Sequence, residues 1–301
     1  MEDDLDLSDH KVTSEVHVFS EGDSHGEDES IVISKFNFTL PNKLLPNTRD
    51  VSQDPSNSID DDGDLVVQRK DYTPDYSLSI KHHINTSLDL VGLQVWRGAF
   101  LLADYLLHSA TDEGTDLMIS RDDIVIELGA GTGLTSIVAG MVSDQVVSTD
   151  ISKGNILALI DTNVKLNSQW IKGKVEAMEL DFYNSSYPET LETHLKNSKL
   201  LIAADVVYHD DLTDAFLATL KRLMSMGRPK TALIALEKRF VFTLSDLDVG
   251  APCYEYFHEN LFRELSSFEI VQVDTSRIPQ YFCYERVKEL VFLKIQNRGS
   301  L

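Results

Sequence analysis

Three glycines at alternate positions, Gly129, Gly131 and Gly133, follow an apolar run that ends in an acidic residue, in 124-IVIELGAGTGLTSI-137. Glycine allows tight turns and lets a ligand approach the main chain closely. A strand, a glycine turn and a helix in that order form the usual nucleotide site of open α/β sheets. The spacing is Glu127, Gly129, Gly131, Gly133, and Leu134 stands where the dinucleotide fingerprint would place a third glycine after Gly131. No pyrophosphate therefore has to rest on the helix N-terminus. A second anchor, Asp150 in 146-VVSTDIS-152, lies 21 residues beyond Gly129, the spacing at which a carboxylate accepts both ribose hydroxyls. The expected ligand is a nucleoside with a ribose and no pyrophosphate, which disfavours a dinucleotide oxidoreductase. The competing reading is a glycine loop that only turns the chain.

A third candidate cluster closes 201-LIAADVVY-208, where Asp205 and Tyr208 end a strand-like run. By position alone Asp205 reads as a strand-end cap at the carboxyl edge of the sheet. The following His209, Asp210 and Asp211 do not read as a metal site, since adjacent residues rarely converge on one ion and an acidic pair suits a helix start. Glu237, Lys238 and Arg239 follow the next strand-like run, as a substrate rim or as a surface ion pair.

The elements that must position these residues alternate along the chain. Strand-like runs are 123-DIVIEL-128, 145-QVVSTD-150, 174-KVEAMEL-180, 199-KLLIAAD-205, 230-KTALIAL-236, 268-FEIVQVD-274 and 289-ELVFLKI-295. Helical periodicity marks 133–142, 153–167, 211–224 and 254–267. It also marks 91–110, where Ala99, Leu102, Ala103 and Leu106 share a face. This alternation predicts an α/β fold, a Rossmann-like sheet of about seven mostly parallel strands with helices on both faces. The last two strands have no helix between them and are expected to be antiparallel neighbours. Upstream, 15-EVHVF-19 and 31-IVISKFNF-38 alternate like strands, as a hairpin or as a layer on the main domain. Residues 1–75 are expected to form an acidic, largely flexible arm, and 76–301 the folded domain.

Lys and Arg number 27 against 49 Asp and Glu, a formal charge of −22. Residues 1–80 hold 19 acidic and 6 basic side chains, so −13 of that charge lies there. Such a chain is poorly suited to hold a phosphate backbone directly and better suited to a basic partner. Two cysteines, Cys253 and Cys283, are too few for a disulfide framework or a zinc cluster, and a reducing compartment, nucleus or cytoplasm, is expected. The N-terminus lacks the apolar core of a secretory signal, and no membrane span is expected. No heptad calls for assembly, so a monomer is favoured.

The segments 92-GLQVWRGAFLLADYL-106, 127-ELGAGTGL-134, 180-LDF-182, 203-AADVVYHDDLTDA-215 and 236-LEKRFVFTL-244 resemble the seven-β-strand S-adenosylmethionine-dependent methyltransferases. More narrowly, they resemble the family that contains many protein-lysine methyltransferases. The resemblance runs from about Leu88 to the C-terminus. It implies S-adenosyl-L-methionine as cofactor, with the glycine loop and Glu127 behind its methionine and ribose parts and Asp150 on the ribose. Asp181 and its aromatic neighbour would face adenine. Phe182 stands where the family carries tryptophan, an apolar face without the indole N–H. Ala204 would leave the cofactor room to pass, and Trp96 would lie over its methionine end. Asp205 and Tyr208 would place a substrate lysine. The implied partner is a basic protein, a nuclear nucleic-acid-binding zinc-finger protein, rather than nucleic acid itself; Pro279-Gln280-Tyr281 lacks the Asn-Pro-Pro-Tyr signature of many nucleic-acid amino-methyltransferases. A small-molecule methyltransferase, one for another protein side chain, and a non-catalytic cofactor-binding protein are the competing readings.

Overall fold

The computed structural model describes residues 11–16, 30–45, 76–111, 117, 119–243 and 248–298. In chain order the elements are β1 (Lys11–Thr13), β2 (Ile31–Phe38), β3 (Tyr76–His83), β4 (Asn85–Ser87), α1 (Arg97–Ser109), β5 (Ile124–Leu128), α2 (Leu134–Val142), β6 (Gln145–Asp150), α3 (Ile156–Leu166) and β7 (Lys174–Glu179). They continue as α4 (Glu189–Asn197), β8 (Leu200–Ala204), α5 (Asp210–Met224), β9 (Thr231–Glu237), β10 (Val241–Thr243), β11 (Asp248–Gly250), α6 (Pro252–Glu264), β12 (Phe268–Val273) and β13 (Leu290–Asn297).

Seven strands form one sheet in the order β12-β13-β9-β8-β5-β6-β7. Strands β5 to β9 run parallel, and β13 is antiparallel to both of its neighbours, β9 and β12. This is the Rossmann-like α/β architecture expected, antiparallel last pair included. Parallel strands buried on both faces need continuous apolar runs, and Val125, Ile126, Leu201, Ile202, Leu233 and Ile234 are each at most 1% exposed. From β5 the chain steps outward through β6 and β7, then returns to the other side of β5 as β8. The crevice over the carboxyl ends of β5 and β8 is the topological switch point, where open α/β sheets bind ligands. The glycine loop and the Asp205–Tyr208 segment both leave the sheet there.

The apolar stretch Leu88–Ser109 has the length and hydropathy of a membrane span, yet 72% of its most apolar window is buried inside the fold. A 3-10 segment, Leu88–Leu93, precedes the helix, so α1 begins later than the periodicity from 91 suggests. Helix α1 carries a fully buried carboxylate, Asp104, which accepts from the backbone N–H groups of Tyr281 (2.8 Å) and Phe282 (2.9 Å) and pairs with Arg286. These partners tie the β12–β13 connection to α1 and compensate a charge that could not otherwise be buried. Helix α4 is absent from the sequence expectations because it is almost wholly polar; only Leu191 and Leu195, one turn apart, are buried.

Strand β2 pairs antiparallel with β3, from Ile31 opposite His83 to Phe38 opposite Tyr76. The pair lies on the main domain: Phe36 packs on Phe100 of α1 with ring centroids 5.1 Å apart. The side chains of Asn163 and Asn167 each bond both backbone groups of a β3 residue, Lys81 and Ser79 respectively. The run 15–19 does not form the expected strand in its described part: Glu15 and Val16 form a turn, and 17–19 lie outside the described residues. The strand there is β1, paired with β4 and fastened by Gln94. Its side-chain amide accepts from Ser14 N at 2.7 Å and donates to Val12 O at 3.0 Å. The expectations for most of the acidic arm, 1–10, 17–29 and 46–75, also lie outside the described residues.

Candidate active site

The three glycines have φ of +67°, +54° and +77°, the left-handed region that side chains disfavour. Protein fills the space each leaves. A Cβ on Gly129 would meet Val206 Cγ1 at 2.7 Å, and one on Gly131 would meet the Gly92 carbonyl oxygen at 2.6 Å. A Cβ on Gly133 would face Ile160 at 3.2 Å. The loop is therefore fixed by its turn and by its packing against the 88–93 segment, and the ligand space lies beside it.

That space is a cavity of about 440 Å³ at the switch point, within the range of cofactor pockets. It brings together Trp96, Glu127, Gly129, Gly131, Asp150, Asp181, Phe182, Ala204, Asp205 and Tyr208 from segments up to 112 residues apart. Gly133 is not in its wall; it stands one residue before α2, packed toward α3. The sequence reading missed Gly92, whose carbonyl abuts the glycine loop, and the rim pair Asp89–Lys153, 2.6 Å apart. Both depend on the Leu88–Leu93 segment folding over the loop, and no local pattern signals that.

Asp150 is held at both oxygens: Oδ2 accepts from Gly131 N at 2.7 Å and Oδ1 from Ile151 N at 2.8 Å. Each oxygen keeps a lone pair for another donor. Burial pushes this carboxyl up to about 6, with the two backbone bonds pulling the other way. Glu127 lies deeper, 1% exposed, accepting from the Ser136 hydroxyl, and burial pushes it up to about 8. Asp181 accepts from Tyr183 N at 2.9 Å, a local turn that sets Phe182 against Phe216, ring centroids 5.4 Å apart. Among the described residues Lys153 is the single basic side chain in the wall, and it is already paired. Two anchored carboxylates, an apolar aromatic flank and no clustered cations suit a nucleoside and not a diphosphate.

Asp205 has φ +51°, unusual for a residue with a side chain. Its Oδ2 accepts from Gly98 N at 2.6 Å, near the start of α1, and its Oδ1 from Glu237 N at 2.9 Å, at the end of β9. The side chain thus satisfies an orphan donor of a helix N-terminus from another part of the chain. Burial pushes its carboxyl above the ordinary range, while the Arg239 charge and the two backbone bonds pull it down. Tyr208 is pushed by burial up to about 12, so its phenol stays neutral at working pH. His209 precedes α5, and Asp210 and Asp211 form its first turn, where acidic side chains favour the helix dipole. Among the described residues no group of three or more His, Cys, Asp or Glu side chains could hold a metal ion.

A second cavity of about 210 Å³ backs onto the first. Val91, Trp96, Asp205 and Tyr208 belong to both walls. The rest is mostly apolar, with Val12, Leu236, Val241 and Tyr254, and it carries Glu237 and Arg239. The Trp96 indole is oriented by its N–H, which donates to Val91 O at 2.9 Å. Beside this cavity Arg97 pairs with Glu237 (2.9 Å), Glu15 (2.6 Å) and Glu285 (3.0 Å), three acidic groups on one cation.

Known proteins resemble this chain in sequence. The chain is 36% identical over 275 residues to methyltransferase-like protein 22 of Mus musculus, covering 83% of this chain and 68% of that protein. To methyltransferase-like protein 22 of Homo sapiens it is 35% identical over 256 residues, covering 78% and 61%. The chain thus spans about two thirds of the length of these relatives. It is 30% identical over 164 residues to protein-lysine methyltransferase METTL21E of Mus musculus, covering 52% and 60%. A family model described as lysine methyltransferase matches residues 73–248, more than half of the chain, and includes the glycine loop, Asp150 and Asp205–Tyr208. With the seven-stranded sheet and a pocket suited to a nucleoside at its switch point, the chain belongs to the lysine methyltransferase family, S-adenosylmethionine-dependent methyltransferases of the seven-β-strand class.

Proposed function

We propose that this chain methylates the ε-amine of a lysine on a basic protein. The observation that carries the reading is the second cavity, an apolar and aromatic space that shares Trp96, Asp205 and Tyr208 with the cofactor cavity. Its volume of about 210 Å³ and its mostly apolar walls suit an unbranched alkylamine. The METTL21E relative, a protein-lysine methyltransferase, and the net charge of −22 support a lysine acceptor on a basic partner. That partner, in this reading, is of the kind that also binds nucleic acid, in nucleus or cytoplasm.

In this reading Asp150 binds the ribose hydroxyls with its remaining lone pairs, and Phe182 and Asp181 border the adenine. The Gly129–Gly131 turn, backed by Glu127, and Trp96 flank the methionine end, and Ala204 keeps the passage open. S-adenosylmethionine supplies an electrophilic methyl group on a sulfonium. The protein's task is to deliver a neutral amine in line with it. An exposed lysine is neutral in only about one part in 2,500 at pH 7. A free carboxylate beside the amine would make that fraction smaller. Asp205 is not free: two backbone N–H groups and the Arg239 charge already draw on it. The apolar walls favour the neutral amine by desolvation, and Tyr208, a neutral phenol, can orient it by a hydrogen bond. Orientation of this kind carries much of the acceleration.

The test is transfer of a labelled methyl group from S-adenosylmethionine to a cell extract by the wild-type chain and by Asp150→Ala, with labelled products hydrolysed to amino acids. Methyl-lysine in a discrete protein band, absent with the variant, is expected. Methyl-histidine or label in small molecules would replace the lysine reading.

A further inference from the structure

Arg239 lines the second cavity and not the first. Its guanidinium lies over the Trp96 ring, 4.1 Å from the centroid, and its Nη2 is 3.9 Å from Asp205 Oδ1. One cation thus covers an aromatic face and faces a buried carboxylate, both on the wall common to the two cavities. Those are the two features by which an alkylammonium is recognised: the face of a tryptophan and a nearby negative charge. The arginine is held loosely by comparison with its surroundings. Its side chain is 37% exposed against 5% for Asp205, whose stronger partners are backbone groups. Arg97, on the other flank of Glu237, has three carboxylate partners; Asp205 is the single carboxylate within ion-pair distance of Arg239 among the described residues.

We propose that Arg239 is a competing internal cation, a gate that holds the Trp96–Asp205 corner until an acceptor ammonium displaces it. This rests on the reading of the second cavity as the acceptor site. Two cations cannot share one ring face and one carboxylate without strong repulsion. An entering ammonium therefore swings Arg239 toward solvent, and the acceptor's binding is weakened by what that displacement costs. Such a gate favours acceptors with further basic residues or other contacts outside the cavity, because the lysine side chain alone binds poorly. It also keeps solvent cations and free amines off the shared wall. The acceptor class that passes is a lysine embedded in a basic segment, whose neighbours can compete for Glu15 and Glu285, 60% and 77% exposed and joined through Arg97 to Glu237 of the cavity wall.

The test uses the full chain saturated with S-adenosylhomocysteine and n-butylammonium chloride, the lysine side chain reduced to its chemistry. The protein has two tryptophans, so a ¹H–¹⁵N spectrum contains two indole signals, Trp96 as reporter and Trp170 as internal control. n-Butylammonium is expected to shift the Trp96 signal saturably and leave Trp170 in place. Arg239→Gln removes the competing charge and should tighten n-butylammonium roughly threefold to tenfold. Arg239→Lys keeps a cation and should stay near wild type, while n-butanol, uncharged, should not distinguish the three proteins. Unchanged or weaker n-butylammonium binding in Arg239→Gln, with Trp170 and S-adenosylhomocysteine binding intact, overturns the gate. If Arg239→Gln does not fold, a tightening in Arg239→Lys as large as that expected for Gln overturns it equally. Failure of the wild type to bind S-adenosylhomocysteine would instead undo the methyltransferase reading beneath it.

Discussion

Replacing Asp205 by asparagine separates a carboxylate that handles substrate from one that holds the fold. Asparagine tolerates the left-handed backbone at φ +51° about as well as aspartate, so the substitution leaves the turn unstrained. It exchanges one acceptor oxygen for an NH₂ group, and both oxygens are now occupied by N–H donors, Gly98 at 2.6 Å and Glu237 at 2.9 Å. One donor must then face a donor. A hydrogen bond to a charged group is worth about 1.5–3 kcal/mol, and a buried unsatisfied N–H costs about 1–3 kcal/mol. Against this stands the relief of no longer burying a charge whose carboxyl burial already pushes upward. The net loss is about 2–4 kcal/mol. For a domain of this size a kcal/mol moves the melting temperature by about 2–4 °C, so a fall of roughly 5–15 °C is expected. The measurement is thermal unfolding of both proteins with and without S-adenosylhomocysteine, beside their methyl-transfer rates. A melting temperature within about 2 °C of wild type, with transfer abolished, would refute the reasoning, because the carboxylate would then act on the acceptor and not on the backbone.

Other perturbations address the rest of the site. In Gly131→Ala, a left-handed alanine costs about 1–2 kcal/mol and its Cβ meets the Gly92 carbonyl oxygen at 2.6 Å, so S-adenosylhomocysteine affinity by calorimetry should fall at least about tenfold; an unchanged affinity would show that the loop and the 88–93 segment do not shape the pocket. Glu127, about 8 in the fold against an ordinary 4.5, stabilises fully below about pH 4.5 and loses that contribution as pH rises through about 8. Between pH 6 and pH 8 the wild type should lose about 2 kcal/mol through this group, and urea unfolding of Glu127→Gln should show a flatter pH dependence; parallel curves would exclude a protonated Glu127. Tyr208→Phe should change stability by less than about 0.5 kcal/mol while lowering kcat more than cofactor affinity, and an unaltered kcat would remove the phenol from acceptor placement.

Much of this protein is legible without coordinates because the relevant physics is local. Apolar runs such as Ile124–Leu128 and Leu290–Ile295 mark buried strands, and 3.6-residue periodicity marks the helices between them. A glycine on every second residue announces left-handed backbone, and all three have it. The spacing from Gly129 to Asp150 follows from one strand-helix-strand unit, so the meeting of Asp150 with Gly131 N is nearly implied by chain length. Helix α4 escaped because two leucines among nine residues, the other seven polar, make a weak pattern.

What only tertiary structure decided are the contacts between distant segments. Whether Asp205 serves a substrate or a helix N-terminus depends on Gly98, 107 residues away. Whether Arg239 is a surface ion-pair member or a cation on Trp96 depends on where α1 enters the fold. That the glycine loop is closed by Gly92, and that Trp96, Asp205 and Tyr208 divide one cavity from another, follows from the packing of α1 and the 88–93 segment over the switch point. Residue type and spacing name the groups capable of chemistry. The partners that set their charge, reach and freedom are brought in by burial of the shared core, which no local window of sequence contains.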